Sequence, residues 1–302
     1  MLNVLRRGHA AFQQESAGAG WRPADDVIWI DLLKPSREEE LAVEAALGLE
    51  LPTIEEMEAL EPSSRLYQEG GATFMTASLV ARGDESTPTV TPVTFVLAGG
   101  RLITLRYEQL RAFSVYSGRA HSLGAATGAM ALLGLLDAVV ERLAQVLGRP
   151  QGGDFRPLLA QLAETQSVTA LTRTSLVSLS RLFGYAALST EIARDAECRT
   201  HLESLQHDAQ SLTDHAGHQS GHLAFLLDAA LGLISIEQNS IIKVLSIVAL
   251  VFTPPTLIAS IYGMNFERLP ELHWRFGYPA ALLAMLVTMV GPLLWIRRRG
   301  WL

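Results

Sequence analysis

Two long apolar segments near the C-terminus constrain this chain more than any other feature of its sequence. Residues 241–261 read IIKVLSIVALVFTPPTLIASI, and residues 276–296 read FGYPAALLAMLVTMVGPLLWI. As helices that rise ~1.5 Å per residue, each would extend about 31 Å, the thickness of the hydrocarbon core of a bilayer. Only residues 262–275 separate them. The sequence therefore predicts a C-terminal two-helix transmembrane hairpin.

The first apolar segment carries polar residues at regular intervals. Four of them, spaced seven residues apart, are Asn239, Ser246, Thr253 and Ser260. Thr256 falls beside them, and residues three, four or seven apart share one helix face. We call these five residues the oxygen stripe. Ser and Thr also mediate packing between membrane helices, but a stripe that leads into Gly263-Met264-Asn265 favours the lining of a pore.

Residues 262–272, YGMNFERLPEL, form a distinctive motif after the first span. They resemble the signature of the CorA family of divalent-cation transporters, in which a Tyr-Gly-Met-Asn motif ends the first of two membrane helices. An acidic Met-Pro-Glu-Leu loop follows in that family, and here Leu269 replaces the Met. The resemblance covers the membrane part almost end to end. It is looser over the first 230 residues, where it is clearest at Trp29-Ile30-Asp31-Leu32 and Glu61-Pro62-Ser63-Ser64-Arg65.

This resemblance implies an architecture and an activity. The chain would be an α+β membrane protein with an N-terminal cytoplasmic α/β/α domain, a long helical funnel or stalk and the transmembrane hairpin, assembled as a homopentamer. It would conduct Mg²⁺, and also Co²⁺ and Ni²⁺, inward down the membrane potential. Asp228 matches a family position that helps to form a regulatory cytoplasmic Mg²⁺ site between subunits. Mg²⁺ would then be both cargo and regulator, with no organic cofactor.

The motif residues suit a hydrated cation. Mg²⁺ sheds its water reluctantly, so a pore needs oxygens that accept hydrogen bonds from bound waters rather than a cage of carboxylates. Asn265 offers a side-chain carbonyl and Gly263 an unobstructed backbone carbonyl, so the residues predicted to form the selectivity filter are Gly263, Met264 and Asn265. Glu267 and Glu271 in the connecting loop would attract cations to the mouth. No acidic residue lies within 241–262 to hold the ion tightly.

Composition and the charges beside the apolar segments indicate which partners are excluded and how the chain is oriented in a membrane. The formal net charge of −7 argues against a nucleic-acid partner. The single cysteine, Cys198, excludes an intrachain disulfide and zinc sites built from several cysteines. The N-terminus lacks the apolar core of a signal peptide, and residues 297–299 form a basic tail. We therefore expect a multi-pass protein with both termini cytoplasmic and residues 262–275 outside, and the resemblance implies the plasma membrane, which is the inner membrane of a bacterium.

Local patterns divide the chain into three predicted parts. Residues 1–115 form an α/β domain, with strands at 27–32, 72–81, 89–97 and 101–107 and capping boxes at Ser36/Glu39 and Thr53/Glu56. Residues 116–240 form long helices and a stalk, because β signals disappear and 167–261 carries no strong breaker before Pro254. Residues 241–302 form the hairpin, with a kink at Pro254-Pro255.

Two other functions fit parts of the pattern. One is a zinc transporter of the same superfamily, proton-coupled or not, although the intact Phe266-Glu267 and Pro270-Glu271-Leu272 argue against it. The other is a membrane-tethered cytoplasmic enzyme or sensor, which we disfavour because no nucleophile elbow, phosphate loop or His-Glu-x-x-His helix is present. The spacing of His215, His218 and His222 puts two imidazoles on one helix face, which suits Zn²⁺ or Ni²⁺. No third ligand for such a pair is evident, and an exposed helix face is the favoured interpretation.

Overall fold

A computed structural model describes residues 1–7, 12–16, 20–59, 61–81, 88–119, 126–148, 158–264, 274 and 276–298. These residues belong to two compact units, Met1–Leu227 and Asp228–Leu302. The sequence-based division into residues 1–115, 116–240 and 241–302 differs from these two units, and its boundaries stay a prediction.

The first unit is built on a seven-stranded sheet. Its strands are β1 (Leu2–Arg6), β2 (Gln13–Glu15), β3 (Val27–Leu33), β4 (Leu66–Glu69), β5 (Ala72–Ala81), β6 (Thr89–Ala98) and β7 (Arg101–Arg106). The strand order is β2-β1-β3-β7-β6-β5-β4. Neighbours pair antiparallel except β3 and β7, which pair in parallel with Asp31 opposite Thr104. The parallel pair therefore joins two antiparallel sub-sheets into one.

Glycine pairs form the turns of two hairpins, one between β4 and β5 and the other between β6 and β7. Gly70 and Gly71 have φ angles of 56° and 80°, and Gly99 and Gly100 have 58° and 76°. Two consecutive residues with positive φ form the tight turn that suits the twist of paired strands, and glycine adopts this conformation without steric cost. The strand predictions for this region and for residues 27–32 are confirmed.

Helices cover both faces of the sheet. They are α1 (Arg37–Leu47), α2 (Ile54–Glu58), α3 (Pro62–Arg65), α4 (Arg111–Arg119), α5 (Gly128–Leu147), α6 (Leu158–Ala186), α7 (Thr190–Arg194), α8 (Ala196–Tyr262) and α9 (Gly277–Arg298). Both predicted capping boxes are present. The Ser36 and Thr53 hydroxyls accept from the backbone N–H groups of Glu39 and Glu56. The two Glu carboxylates accept from the backbone N–H groups of Ser36 and Thr53.

Two hydrophobic cores lie against the sheet. The larger joins sheet residues such as Trp29 and Phe95 to Phe113 of α4 and to apolar residues of α5, α6 and the first part of α8. The smaller joins residues such as Ile30 and Ile103 to α1 and α2. A sheet buried on both faces by helices is an α/β/α sandwich. The predicted fold class is confirmed in this respect, whereas the pentamer stays a prediction.

A buried ion pair lies at the parallel junction of the sheet. The Nε and Nη2 groups of Arg106 donate to the two carboxylate oxygens of Asp31 at 2.9 and 2.8 Å. The Thr104 hydroxyl donates to the same carboxylate at 2.8 Å, and the Trp29 indole N–H donates to Thr104 at 3.0 Å. The guanidinium also lies 4.4 Å from the ring centroid of Phe113. Asp31 is therefore fully satisfied although it is inaccessible to solvent.

The long helical region contains an interruption that the sequence pattern did not predict. Helix α6 ends at Ala186, the short helix α7 follows, and α8 begins at Ala196. The Asp195 carboxylate accepts from the backbone N–H of Glu197 at 2.9 Å and so caps the start of α8. The sequence predicts extended helices here, with no strong breaker before Pro254, and it does not locate this break, which an Asp cap marks rather than Gly or Pro.

Cys198 is packed in the larger core, with 2% of its surface exposed. Its Sγ donates to the Asp195 carboxylate over 3.5 Å. Burial, followed by the hydrogen bond and negative charge of Asp195, raises the pKa of the thiol from 9.0 to about 11. Cys198 is therefore a neutral packing residue at physiological pH.

We predict that Asp31→Ala lowers the free energy of unfolding by about 3–5 kcal/mol, because the buried Arg106 guanidinium would lose its counter-charge. Denaturant unfolding of the full chain in detergent, followed by tryptophan fluorescence, measures the change. The control Asp25→Ala removes a fully exposed carboxylate and should cost less than about 0.5 kcal/mol. Equal costs for the two variants would contradict the importance of the buried pair.

We also predict that native Cys198 reacts with iodoacetamide at pH 8 at least roughly 100-fold more slowly than in the urea-unfolded chain, because the thiolate is the reactive form. Raising the pH from 8 to 10 should accelerate the native reaction about tenfold per pH unit, since both values lie below the folded pKa. Mass spectrometry gives an unambiguous readout because the chain has one cysteine. Equal rates in the native and unfolded chains would show that the thiol is accessible.

Candidate functional site

Among the residues that the structure describes, two helices are long and apolar enough to cross a membrane by length and composition, namely α8 and α9. At ~1.5 Å per residue, the 67 residues of α8 extend about 100 Å and the 22 residues of α9 about 33 Å. In each, only 6% of the most apolar stretch is buried within the chain. Both apolar surfaces therefore need to be covered by lipid or by other protein chains, because the described part of the single chain does not cover them.

The oxygen stripe lies on one continuous helix. All five of its residues fall within α8, and all are exposed. The surrounding residues are large and apolar, including Leu245, which is 67% exposed, and Leu257, which is 60% exposed. Within residues 244–261, the side chains that carry oxygen are therefore exceptions in an otherwise apolar segment. The structure confirms helical geometry for this segment, while the role of the stripe in a pore is a proposal.

Thr256 has a defined hydrogen bond in this helix. Its hydroxyl donates to the backbone carbonyl of Phe252 at 2.7 Å. Because a hydroxyl has one donor and two acceptor lone pairs, this bond uses the proton and leaves the oxygen free to accept. An acceptor is the group that can bind the hydrogens of a cation's coordinated water.

Pro254 and Pro255 lie inside α8, immediately before Thr256. Neither has a backbone N–H, so the carbonyls of Leu250 and Val251 lack their usual helical donors. Such carbonyls are costly in lipid and tolerable beside neighbouring helices or a wet lumen. The helix continues through both prolines to Tyr262, and the predicted kink stays a prediction.

Helix α8 ends at the predicted filter. The backbone N–H of Gly263 donates to Ala259 at 2.9 Å, and that of Met264 donates to Ile261 at 3.3 Å. A Cβ added to Gly263 would lie 3.1 Å from the Ala259 carbonyl oxygen, closer than an ordinary contact, so glycine fits this position best. The three other predicted residues of this region, Asn265, Glu267 and Glu271, lie outside the described residues.

Aromatic and basic residues flank α9. The rings of Trp274 and Phe276 lie 6.0 Å apart in an edge-to-face arrangement just before its start. Trp295, Arg297 and Arg298 lie at its other end. Aromatic rings at both ends of an apolar helix are typical of the two interfaces of a bilayer, and basic residues are typical of the cytoplasmic side.

The predicted regulatory residue and the histidine row are also on α8. Asp228 is exposed, as are His215, His218 and His222. In the described part of the chain, no group of three or more His, Cys, Asp or Glu side chains is placed to hold a metal ion. A metal site at Asp228 would therefore require ligands beyond those that the described residues of one chain bring together.

The sequence is similar to a known family and to known proteins. The profile of the CorA-like Mg²⁺ transporter proteins matches residues 24–150 and 153–298. The magnesium transport protein CorA of Escherichia coli (strain K12) is 34% identical over 298 residues, covering 93% of this chain and 94% of that protein. Its counterpart in Salmonella typhimurium (strain LT2) is 34% identical over 294 residues, covering 92% of each.

The fold is that of a solved relative. The complete structure of the CorA magnesium transporter from Methanocaldococcus jannaschii matches with a TM-score of 0.73 at 18% identity, covering 100% of this chain and 99% of that one. This likeness supports the fold, and the sequence matches establish the kinship. The chain belongs to the family of CorA-like Mg²⁺ transporter proteins.

Proposed function

We propose that this protein carries Mg²⁺ across a membrane. Its family is one of transporters rather than enzymes, and the relatives that it resembles over nine tenths of its length are magnesium transport proteins. The observation that carries the proposal is the oxygen stripe on α8, which leads without an intervening acidic residue to Gly263 and Met264. A zinc transporter and a membrane-tethered enzyme or sensor are not favoured by this kinship.

The mechanism that we propose keeps the ion largely hydrated. Water bound to Mg²⁺ donates hydrogen bonds, and the stripe supplies oxygens that accept them, as Thr256 does once its own proton is committed to Phe252. Gly263, Met264 and Asn265 form the filter, and Glu267 and Glu271 concentrate cations at the mouth. Neutral oxygens hold the ion weakly enough to release it, which conduction requires.

A closed lumen requires several copies of α8. We propose the homopentamer that the family resemblance implies, with the stripes facing a central axis and the apolar residues facing lipid or neighbouring helices. Both termini are cytoplasmic in the inner membrane, in line with the basic residues that end α9. The membrane potential drives transport, because a divalent cation that crosses ~100 mV releases about 4.6 kcal/mol. Co²⁺ and Ni²⁺ are secondary cargoes.

We propose that Asp228 takes part in regulation by cytoplasmic Mg²⁺. An exposed carboxylate on the helix that also carries the stripe can bind the ion between subunits, and loss of the ion would favour the conducting state. Allosteric coupling of this kind is worth 1–3 kcal/mol in typical cases, about 5- to 150-fold in an equilibrium.

In proteoliposomes, an inside-negative potential should drive Mg²⁺ uptake, and Asn265→Ala should reduce the rate at least about tenfold, because the filter would lose a carbonyl acceptor. Thr253→Val should also slow uptake. The matched control is Thr288→Val, which removes a hydroxyl from α9 that donates to the Ala284 carbonyl, and it should leave the rate unchanged.

An internal Mg²⁺ indicator reports the rate. No uptake by folded oligomer at low internal Mg²⁺ would overturn the proposal for Mg²⁺. Uptake that both Asn265→Ala and Thr253→Val retain would place the pathway elsewhere.

Asp228→Asn should raise the internal Mg²⁺ concentration that half-inhibits uptake by at least about fivefold, because the site would lose a charged ligand. The control is Asp214→Asn, another exposed acid on α8, whose carboxylate accepts from Gln210 at 3.1 Å. Identical inhibition curves for wild type and Asp228→Asn would remove Asp228 from the regulatory site.

A further inference from the structure

A cleft of about 760 Å³ in the first unit is lined by three arginines. Arg65 ends α3, while Arg173 and Arg181 lie on α6. Residues of β5 and β6, including Ser78 and Pro92, also line the cleft. The cleft is separate from the oxygen stripe, whose residues are all in the second unit.

Arg65 is held in place by neutral groups. Its Nε and Nη2 donate to the Met57 backbone carbonyl at 3.2 and 3.1 Å, and Nη2 also donates to the Ser78 hydroxyl at 2.8 Å. Burial, followed by repulsion from Arg181, lowers the pKa of Arg65. A half-buried guanidinium normally has a counter-charge, because desolvation of a lone charge is costly. Arg65 has another cation nearby instead.

The other two arginines increase the positive charge. Arg173, Val177 and Arg181 are four residues apart on α6, so they share one helix face. Within the residues that the structure describes, no ion pair forms to Arg65, Arg173 or Arg181. One acid, Glu58, lines the cleft with them. Three cations thus converge on one cavity in a chain whose formal net charge is −7.

We propose that this cleft binds a small molecule that carries phosphate, of about the size of a nucleotide. The planar fork of arginine matches the oxygens of a phosphate group, and several such groups around one cavity suit a ligand with more than one negative charge. The hydroxyls of Ser178 and Ser220 also line the cleft. They accept from the Ser78 backbone N–H and the Gln166 side chain, so each can donate its own proton to a phosphate oxygen.

The shape of the cleft supports a ligand larger than a single phosphate. Drug-sized ligands occupy cavities of about 300–1,000 Å³, which includes the observed volume. Val90, Pro92 and Val177 supply apolar surface beside the arginines. A ligand with a charged end and a flat apolar end, such as a nucleotide, meets both surfaces. No hydrolysis is implied, because the proposal concerns binding alone.

Isothermal titration calorimetry on the full chain in detergent and metal-free buffer tests the proposal, with tripolyphosphate and ATP as probes. Binding should weaken as salt rises from 50 to 200 mM, as expected for a site dominated by charge. The double variant Arg173→Gln/Arg181→Gln should bind at least about tenfold more weakly. Both residues are exposed, so folding should be retained and is checked by thermal unfolding. The matched control is Arg199→Gln, an exposed arginine on α8, which should change affinity by less than about twofold.

The pattern of affinities identifies the ligand class. Tighter binding of ATP than of tripolyphosphate would support the proposal with the base on the apolar wall, and equal binding would support a ligand recognised by phosphate alone. Absence of binding by both probes, or binding that the double variant retains, would overturn it. Tighter binding of a short-chain phosphatidic acid would overturn a soluble ligand in favour of a lipid headgroup. The calorimetry measures ligand binding and not Mg²⁺ uptake. A failure to bind phosphate would therefore leave the transport proposal standing, and a failure to transport Mg²⁺ would leave the binding proposal standing.

Discussion

The ion pair between Asp31 and Arg106 is the interaction on which the first unit most depends. It bridges β3 and β7, and its two residues are 75 positions apart in sequence. Among the described strands, this is the one parallel pairing, and it joins sub-sheets that otherwise form from local hairpins. A parallel junction has no turn to set its register, so side chains must do so. A bidentate pair that also engages Thr104 and Trp29 specifies one alignment, because a shift of one residue would leave a buried charge unpaired.

Helix α8 passes from one kind of environment to another along its length. In its first part, Leu202, Leu205, Ala209 and Ala216 are buried at spacings of three, four and seven residues, the pattern of an amphipathic helix packed against a domain. From Phe225 onward, most large apolar residues are exposed instead. One helix thus satisfies its backbone internally except where Pro254 and Pro255 interrupt the hydrogen bonds, while its side chains change from those suited to a protein core to those suited to lipid.

Features set by neighbouring residues could be predicted from sequence. The two capping boxes, the glycine turns and the apolar spans depend on interactions within a few residues, and each is present. The strand order and the partners of Asp31 could not be predicted, because they join distant segments. The break before α8 was missed because Asp195 marks it through a side-chain hydrogen bond and no Gly or Pro accompanies it. At the candidate site, the positions of the stripe on one helix were predictable, whereas the cleft of arginines required α3, α6 and the sheet to come together.

The packing of Cys198 has a practical consequence for spectroscopy. A chain whose single thiol is buried and protonated behaves, toward maleimide or methanethiosulfonate labels near neutral pH, almost as if it had no cysteine. New cysteines at exposed positions of α8 can therefore receive fluorophores or spin labels without prior removal of the native residue. Distances between such labels in neighbouring copies would report directly on assembly and on movement of the helix when Mg²⁺ is added or withdrawn.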